Sequence, residues 1–295
     1  MRKFTFAKIS PGGNSTILIR EPQTAGEEHL QLAQKLLDPL HLQAEQVGFV
    51  NLKATPPSLD MMAGEFCLNA TRSLVLLMFM EKKFLPIAGT DDLFGLVRCS
   101  GQNGPLEARV KNGKNAPPDS AAAECYVSLR VKLDENTIRE EERGVTLVKL
   151  PGIAHVLLDE ELHPAPLDMM EAAAALRAKY ALESEAASGV VWYKKNGALV
   201  RLHAESEVPA SLFGITPLVH ITASNSSTLE SSCGSASLAL ALRHAEVGKI
   251  KFFNIAQPCG AHLHLKLTWA EREEDGCTVE TGGLVKMIAS GHTYI

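Results

Sequence analysis

The 295 residues carry 29 Lys and Arg against 34 Asp and Glu, for a net charge of −5. The basic residues are scattered, so no basic face offers itself to nucleic acid. A hydrophobic content of 45% supports a real core, and the length fits two domains at roughly 150 residues each. The opening MRKFTFAKISPGGN lacks the apolar segment of a secretion signal, and no apolar run approaches the roughly 18 residues of a membrane span. The expectation is a cytoplasmic protein with no membrane or nucleic-acid partner.

In chain order, KFTFAKI and STILIRE read as strands around the turn SPGGN. AGEEHLQLAQKLLDPL has helical spacing and stops at Pro39, and VGFVNLKA is a strand broken by PPS. GEFCLNATRSLVLLMFM then opens a helix at Cys67, with a polar first turn and apolar residues on nearly every face afterwards. That pattern marks a buried helix. LFGLVRCS, LEARVKNG, AECYVSLRVKL and VTLVKLP follow as strands, several at period two, and GIAHVLLD as a more continuously apolar one. PLDMMEAAAALRAKYAL is the clearest exposed helix, with Asp168 near its start. GVVWYKKNG, ALVRLHAE and LVHITAS form a second strand series, with Asn196-Gly197 as a hairpin turn. ESSCGSASLALALRH repeats the cysteine-first helix at Cys233, and KIKFFNIAQ, HLHLKLTW, CTVETGG and LVKMIAS close the chain.

The order strands, cysteine helix, strands thus occurs twice. Aligned on cysteine, CLNATRSLVLLM and CGSASLALALRH share C-x-x-A and a polar first turn. The expected fold is α+β, with two pseudo-symmetric halves, each a curved β-sheet or barrel around one apolar helix. Residues 1–145 form the first half and 146–283 the second, with 284–295 returning to the first. The boundary is expected in the charged REEERG, near residues 140–148.

Six cysteines show neither a C-x-x-C pair nor zinc-ribbon spacing, so free thiols are expected. Cys99, Cys125, Cys259 and Cys277 read as small buried hydrophobes. His262 and His264 share one strand face but have no third ligand near in sequence, so no metal site is expected. Cys67 and Cys233 differ by position. A helix N-terminus stabilises a thiolate, and its unpaired N–H groups can hold a carboxylate. Two such thiols across a cleft suit inversion at a Cα: one removes a proton and the other returns one to the opposite face. There is no P-loop or Rossmann fingerprint, so no cofactor is expected.

These residues resemble the diaminopimelate epimerase superfamily of cofactor-independent, two-cysteine racemases, over nearly the whole chain. CLNATR looks like the first catalytic motif, Cys-Gly-Asn-Ala-x-Arg, and CGSAS like the second. KFTFAKISPGGNSTILI is similar to the opening segment, placing Asn14 at a substrate-binding asparagine. GIAHVLL resembles the strand with the Gly-Asn-Pro-His signature, and VKMIASGHTYI the closing strand. The resemblance implies catalytic Cys67 and Cys233, and carboxylate binding by the backbone amides of Leu68, Asn69, Gly234 and Ser235. It implies an amino-acid substrate in the cleft between the halves and, since members are often dimers, a homodimer.

The departures concern the far end of the substrate. Family asparagines are replaced by Ser58, Ile153 and Ala187, and a Glu-Arg pair by Ser224-Asn225. Losing that Arg forfeits a bidentate contact to a second carboxylate. Leu68 in place of Gly narrows the pocket. GEFC and ESSCGS are most similar to the histidine racemases of staphylopine-type metallophore pathways, with Glu65, Ser224 and Asn225 as candidates to contact an imidazole. The alternatives are a diaminopimelate epimerase with a rebuilt distal site and a non-catalytic binding module. The second predicts loss of one cysteine. Proline-racemase relatives usually carry His where Asn69 stands. His155 reads as a satisfied structural histidine.

Overall fold

The computed structural model describes residues 1–21, 26–117, 120–196, 210–270 and 276–295. The elements in chain order are β1 (Lys3–Ser10), β2 (Thr16–Arg20), α1 (Glu27–Leu37), β3 (Gln46–Asn51), β4 (Ser58–Met61), α2 (Leu68–Met80), β5 (Leu85–Pro86), β6 (Leu93–Cys99), β7 (Leu106–Lys111) and β8 (Ala122–Val131). They continue with β9 (Ile138–Glu142), β10 (Val145–Leu150), β11 (Ile153–Asp159), α3 (Met169–Lys179), β12 (Ala187–Lys195), β13 (Ser211–Ile221), β14 (Ser226–Leu229), α4 (Gly234–Arg243), β15 (Lys251–Ala256), β16 (His262–Trp269) and β17 (Cys277–Tyr294). The chain packs as two compact units, residues 1–128 with 282–295, and residues 129–281. The strand expected over ALVRLHAE, and the Gly197 side of the KKNG turn, lie outside the described residues.

In the first unit the strands close into a ring of eight. β1 pairs with β2 and β17, β2 with β3, β3 with β4, β4 with β6, β6 with β7, β7 with β8, and β8 with β17. A closed ring leaves no open sheet edge, which is how such a β-rich unit avoids pairing with strangers. VKMIASGHTYI does lie in β17, where it pairs antiparallel with β1. Inside, every residue of α2 from Leu68 to Met78 is buried. That accounts for the apolar residues on all its faces: strands, not solvent, surround it. Each fully buried Leu or Val there contributes about 1.5–3 kcal/mol relative to exposure. α1 is amphipathic, and it sets Leu32, Ala33 and Leu36 against Ile17, Ile19, Val47 and Phe49.

The second unit carries the strand run β9–β10–β11–β12–β13–β15–β16, with β14 beside β13. β12 is buried from Ala187 to Tyr193, as expected of a strand covered on both faces. Val156 and Leu158 of β11 share a core with Ala173 of α3. Because strand side chains alternate, His155 and Leu157 face the other way. α3 starts at Asp168, whose carboxylate accepts from the Glu171 N–H at 3.0 Å.

The REEERG segment is not the junction between units. It forms the end of β9 and the tight turn into β10, with Gly144 at φ 81, and the second unit already begins at Leu129 within β8. Its charges are those of a solvated hairpin: Glu142 accepts from Lys179 at 2.8 Å. Among the described residues, no helix is long and apolar enough to cross a membrane.

Candidate active site

In the first unit Cys67 is the N-cap of α2, with extended backbone (φ −131, ψ 110). Its sulfur accepts from the Ala70 N–H at 3.4 Å, and its carbonyl accepts from the Thr71 hydroxyl at 2.7 Å. The first two N–H groups of the helix belong to Leu68 and Asn69, both buried. The Cys67 thiol also donates to Oε1 of Gln46 at 3.0 Å. Gln46 begins β3, and its amide group donates to the Thr16 hydroxyl at 2.9 Å, which turns its carbonyl toward the sulfur. Asn14 ends the SPGGN turn in the left-handed region (φ 44) and is buried. Its carbonyl accepts from Thr16 at 3.3 Å, which joins it to the same network. Glu65, two residues before Cys67, accepts from the Ala63 N–H at 3.0 Å, and burial pushes its carboxyl up.

In the second unit Cys233 is the N-cap of α4, with φ −132 and ψ 110. Its sulfur lies 3.5 Å from the Ala236 N–H, and its carbonyl accepts from the Ser237 hydroxyl at 2.7 Å. A glutamine again attends the cysteine: Gln257 accepts from the Cys233 N–H at 2.9 Å and donates to Ser237 at 3.0 Å. Gly234 and Ser235 form the first turn. The Ser235 hydroxyl lies 3.4 Å from the Cys233 sulfur and 3.0 Å from Nε2 of His155. Burial pushes the Cys233 thiol well up, reinforced by the Glu230 carboxylate, which takes its proton in a hydrogen bond. Burial likewise holds His155 down to about 3, so its ring is neutral.

His155 departs from the satisfied structural histidine expected of it. It is fully buried, but only Nε2 is paired and Nδ1 has no partner. Gly189 of β12, opposite it in register, makes room: a Cβ there would sit 2.2 Å from Nδ1. Gln46, Gln257, Glu230 and the buried Arg72 were not singled out for the site by the sequence. Of the three imidazole candidates, Glu65 is half-buried beside Cys67, while Asn225 is exposed and left-handed (φ 46). Among the described residues, no group of three or more His, Cys, Asp or Glu could hold a metal ion.

Of the remaining thiols Cys99, Cys125 and Cys277 are buried, but Cys259 is exposed, contrary to expectation. Its loop runs along the surface after β15. Burial, the leading cause in each case, raises Cys99 and Cys233, pushes Cys125 to about 12 and Cys277 to about 11. In the unfolded chain these thiols ionise near pH 8.5. Above that pH the folded state binds more protons than the unfolded state, so stability must fall as pH rises; below about pH 8 both states are protonated and the slope vanishes. Unfolding free energies from urea titrations under reductant are expected to be flat from pH 7 to about 8, then to drop by about 1.4 kcal/mol per pH unit per thiol. A flat profile to pH 10.5 would contradict this.

The fold is shared with solved structures. A Bacillus anthracis phenazine biosynthesis protein of the PhzF family matches with a TM-score of 0.58 at 12% identity, covering 100% of both chains. A hydroxyproline epimerase from Agrobacterium vitis, solved with bound trans-4-hydroxy-L-proline, also gives 0.58, at 11% identity, over 99% of this chain and 91% of that one. The chain is an isomerase with an α+β fold of the PhzF and proline-racemase type. Residues 3–294 match the family described as the histidine racemase CntK N-terminal domain, and the chain belongs to that family. A histidine racemase of Fusobacterium nucleatum subsp. nucleatum is 27% identical over 297 residues, 98% of this chain and 97% of the relative.

Proposed function

We propose that the chain interconverts L- and D-histidine without a cofactor, through two thiols, Cys67 and Cys233. The observation that carries this reading is the matching pair of helix caps: same extended backbone within 1°, same acceptance from the third N–H, same hydroxyl on the carbonyl. They also support a duplicated origin for the two halves. One sulfur, as thiolate, takes the Cα proton, and the other, as thiol, gives its proton to the opposite face. The carbanion's charge passes to the carboxylate, where the N–H groups of Leu68, Asn69, Gly234 and Ser235 receive it, with Asn14 completing the contacts. Each turnover leaves the proton on the other sulfur, so the roles exchange with the enantiomer.

Burial and Glu230 keep the proton on Cys233, which suits it as the donor in the first direction. Glu65 is the candidate acceptor for an imidazole N–H. The name of the Fusobacterium relative supports histidine as the substrate, and D-histidine would feed an opine-type metallophore. Incubation in deuterated buffer with L-histidine, D-histidine or LL-diaminopimelate tests the reading. Solvent deuterium is expected at Cα of both histidine enantiomers. Its appearance in diaminopimelate but not in histidine would overturn the substrate.

A further inference from the structure

Arg72 lies in the second turn of α2 and is fully buried. Its Nε donates to the Cys125 carbonyl at 3.2 Å, and Nη1 to the Pro11 carbonyl at 2.8 Å and to Oδ1 of Asn69 at 3.4 Å. Nη2 has no hydrogen-bond partner. Every partner is a neutral oxygen, and none of the ion pairs among the described residues includes Arg72. Glu124 acts on it only through space and takes its own hydrogen bond from Tyr126. A buried cation with no direct ion pair is costly. Near the positive end of a helix dipole it is costlier still. Both penalties shrink when negative charge forms at that same end, five residues up the chain at Cys67.

We propose that Arg72 is a positioning residue for the reaction: it ties the SPGGN turn and Asn69 to the mouth of α2, and supplies the buried charge that favours a thiolate at Cys67 and a carboxylate beside it. The inference rests on the role proposed above for Cys67. Near Cys67, the neutral Gln46 of β3 accepts a hydrogen bond from its thiol, the Cys99 sulfur on β6 accepts from its backbone N–H, and Glu65 lies in the loop just before it.

The test compares Arg72→Gln and Arg72→Lys with the native full-length chain. The rate of Cys67 alkylation by iodoacetamide is followed from pH 6 to 10 by mass spectrometry of its peptide, with Cys233 as internal control. Arg72→Gln is expected to slow Cys67 alkylation at pH 7 about tenfold, equivalent to one unit of pKa, without changing Cys233. Arg72→Lys keeps the charge but loses the fork, so alkylation should stay within about threefold while KM for histidine rises severalfold. A folded Arg72→Gln protein with the native alkylation profile would overturn the proposal. If Arg72→Gln does not fold, Arg72→Lys decides: a native KM would overturn it equally. Should the native chain fail to exchange the histidine α-proton, the substrate reading falls, while the alkylation arm still reports on Arg72.

Discussion

Replacing either Cys67 or Cys233 by serine is expected to cut histidine racemisation about 10³-fold, within the 10²–10⁴ range that a positioned acid or base supplies. The melting temperature should barely move. Both cysteines are helix N-caps through sulfur at 3.4–3.5 Å from the third N–H, and serine is among the preferred caps, so the helices lose nothing. What is lost is the proton chemistry: a serine hydroxyl is far too weak an acid to serve as the base. In a two-base scheme the variants should also be asymmetric. Each should keep part of the α-proton exchange for the one enantiomer whose proton the surviving thiol removes, and little for the other. Separate deuterium exchange rates from L- and D-histidine measure this. Racemisation at the native rate by either variant would end the two-thiol mechanism.

Gly189→Ala is expected to lower the melting temperature by about 2–12 °C, and to slow turnover as well. A Cβ at this position meets Nδ1 of His155 at 2.2 Å and Cε1 at 2.6 Å. The ring cannot step aside freely, because it is fully buried and its Nε2 is held to Ser235. Overpacking of this kind costs about 1–3 kcal/mol, and in a chain of this size each kcal/mol lowers the midpoint by roughly 2–4 °C. The glycine is extended, so the backbone itself would accept alanine, and the whole effect runs through the ring. Shifting His155 pulls on Ser235, which touches the Cys233 sulfur. A Gly189→Ala protein as stable and as active as the native one would show that the pocket around His155 yields easily.

The two cysteine helices were legible because their cause is local. A cap followed by a polar turn and an unbroken apolar run needs only the sequence around Cys67 and Cys233, and the structure starts α2 and α4 at those residues. Asp168 is equally local. The partners of the cysteines were not legible, because sheet topology brings them. Gln46 lies 21 residues from Cys67 and Gln257 24 residues from Cys233. His155 reaches Ser235 across 80 residues. A glutamine opening a strand carries no mark of its neighbour. REEERG misled for a related reason: a run of charge reads the same in a linker and in an exposed hairpin, and only the pairing of β9 with β10 tells them apart.

α2 is covered on every side from Leu68 to Met78, and this constrains how such a racemase can diversify. Up to Met78 no side chain of that helix reaches solvent, and only Phe79 and Met80 at its far end do, so mutations before them register as packing defects. On the Cys67 side the room for change lies in the short loop Ala63–Phe66, whose residues are exposed or half-buried and lie outside the helix.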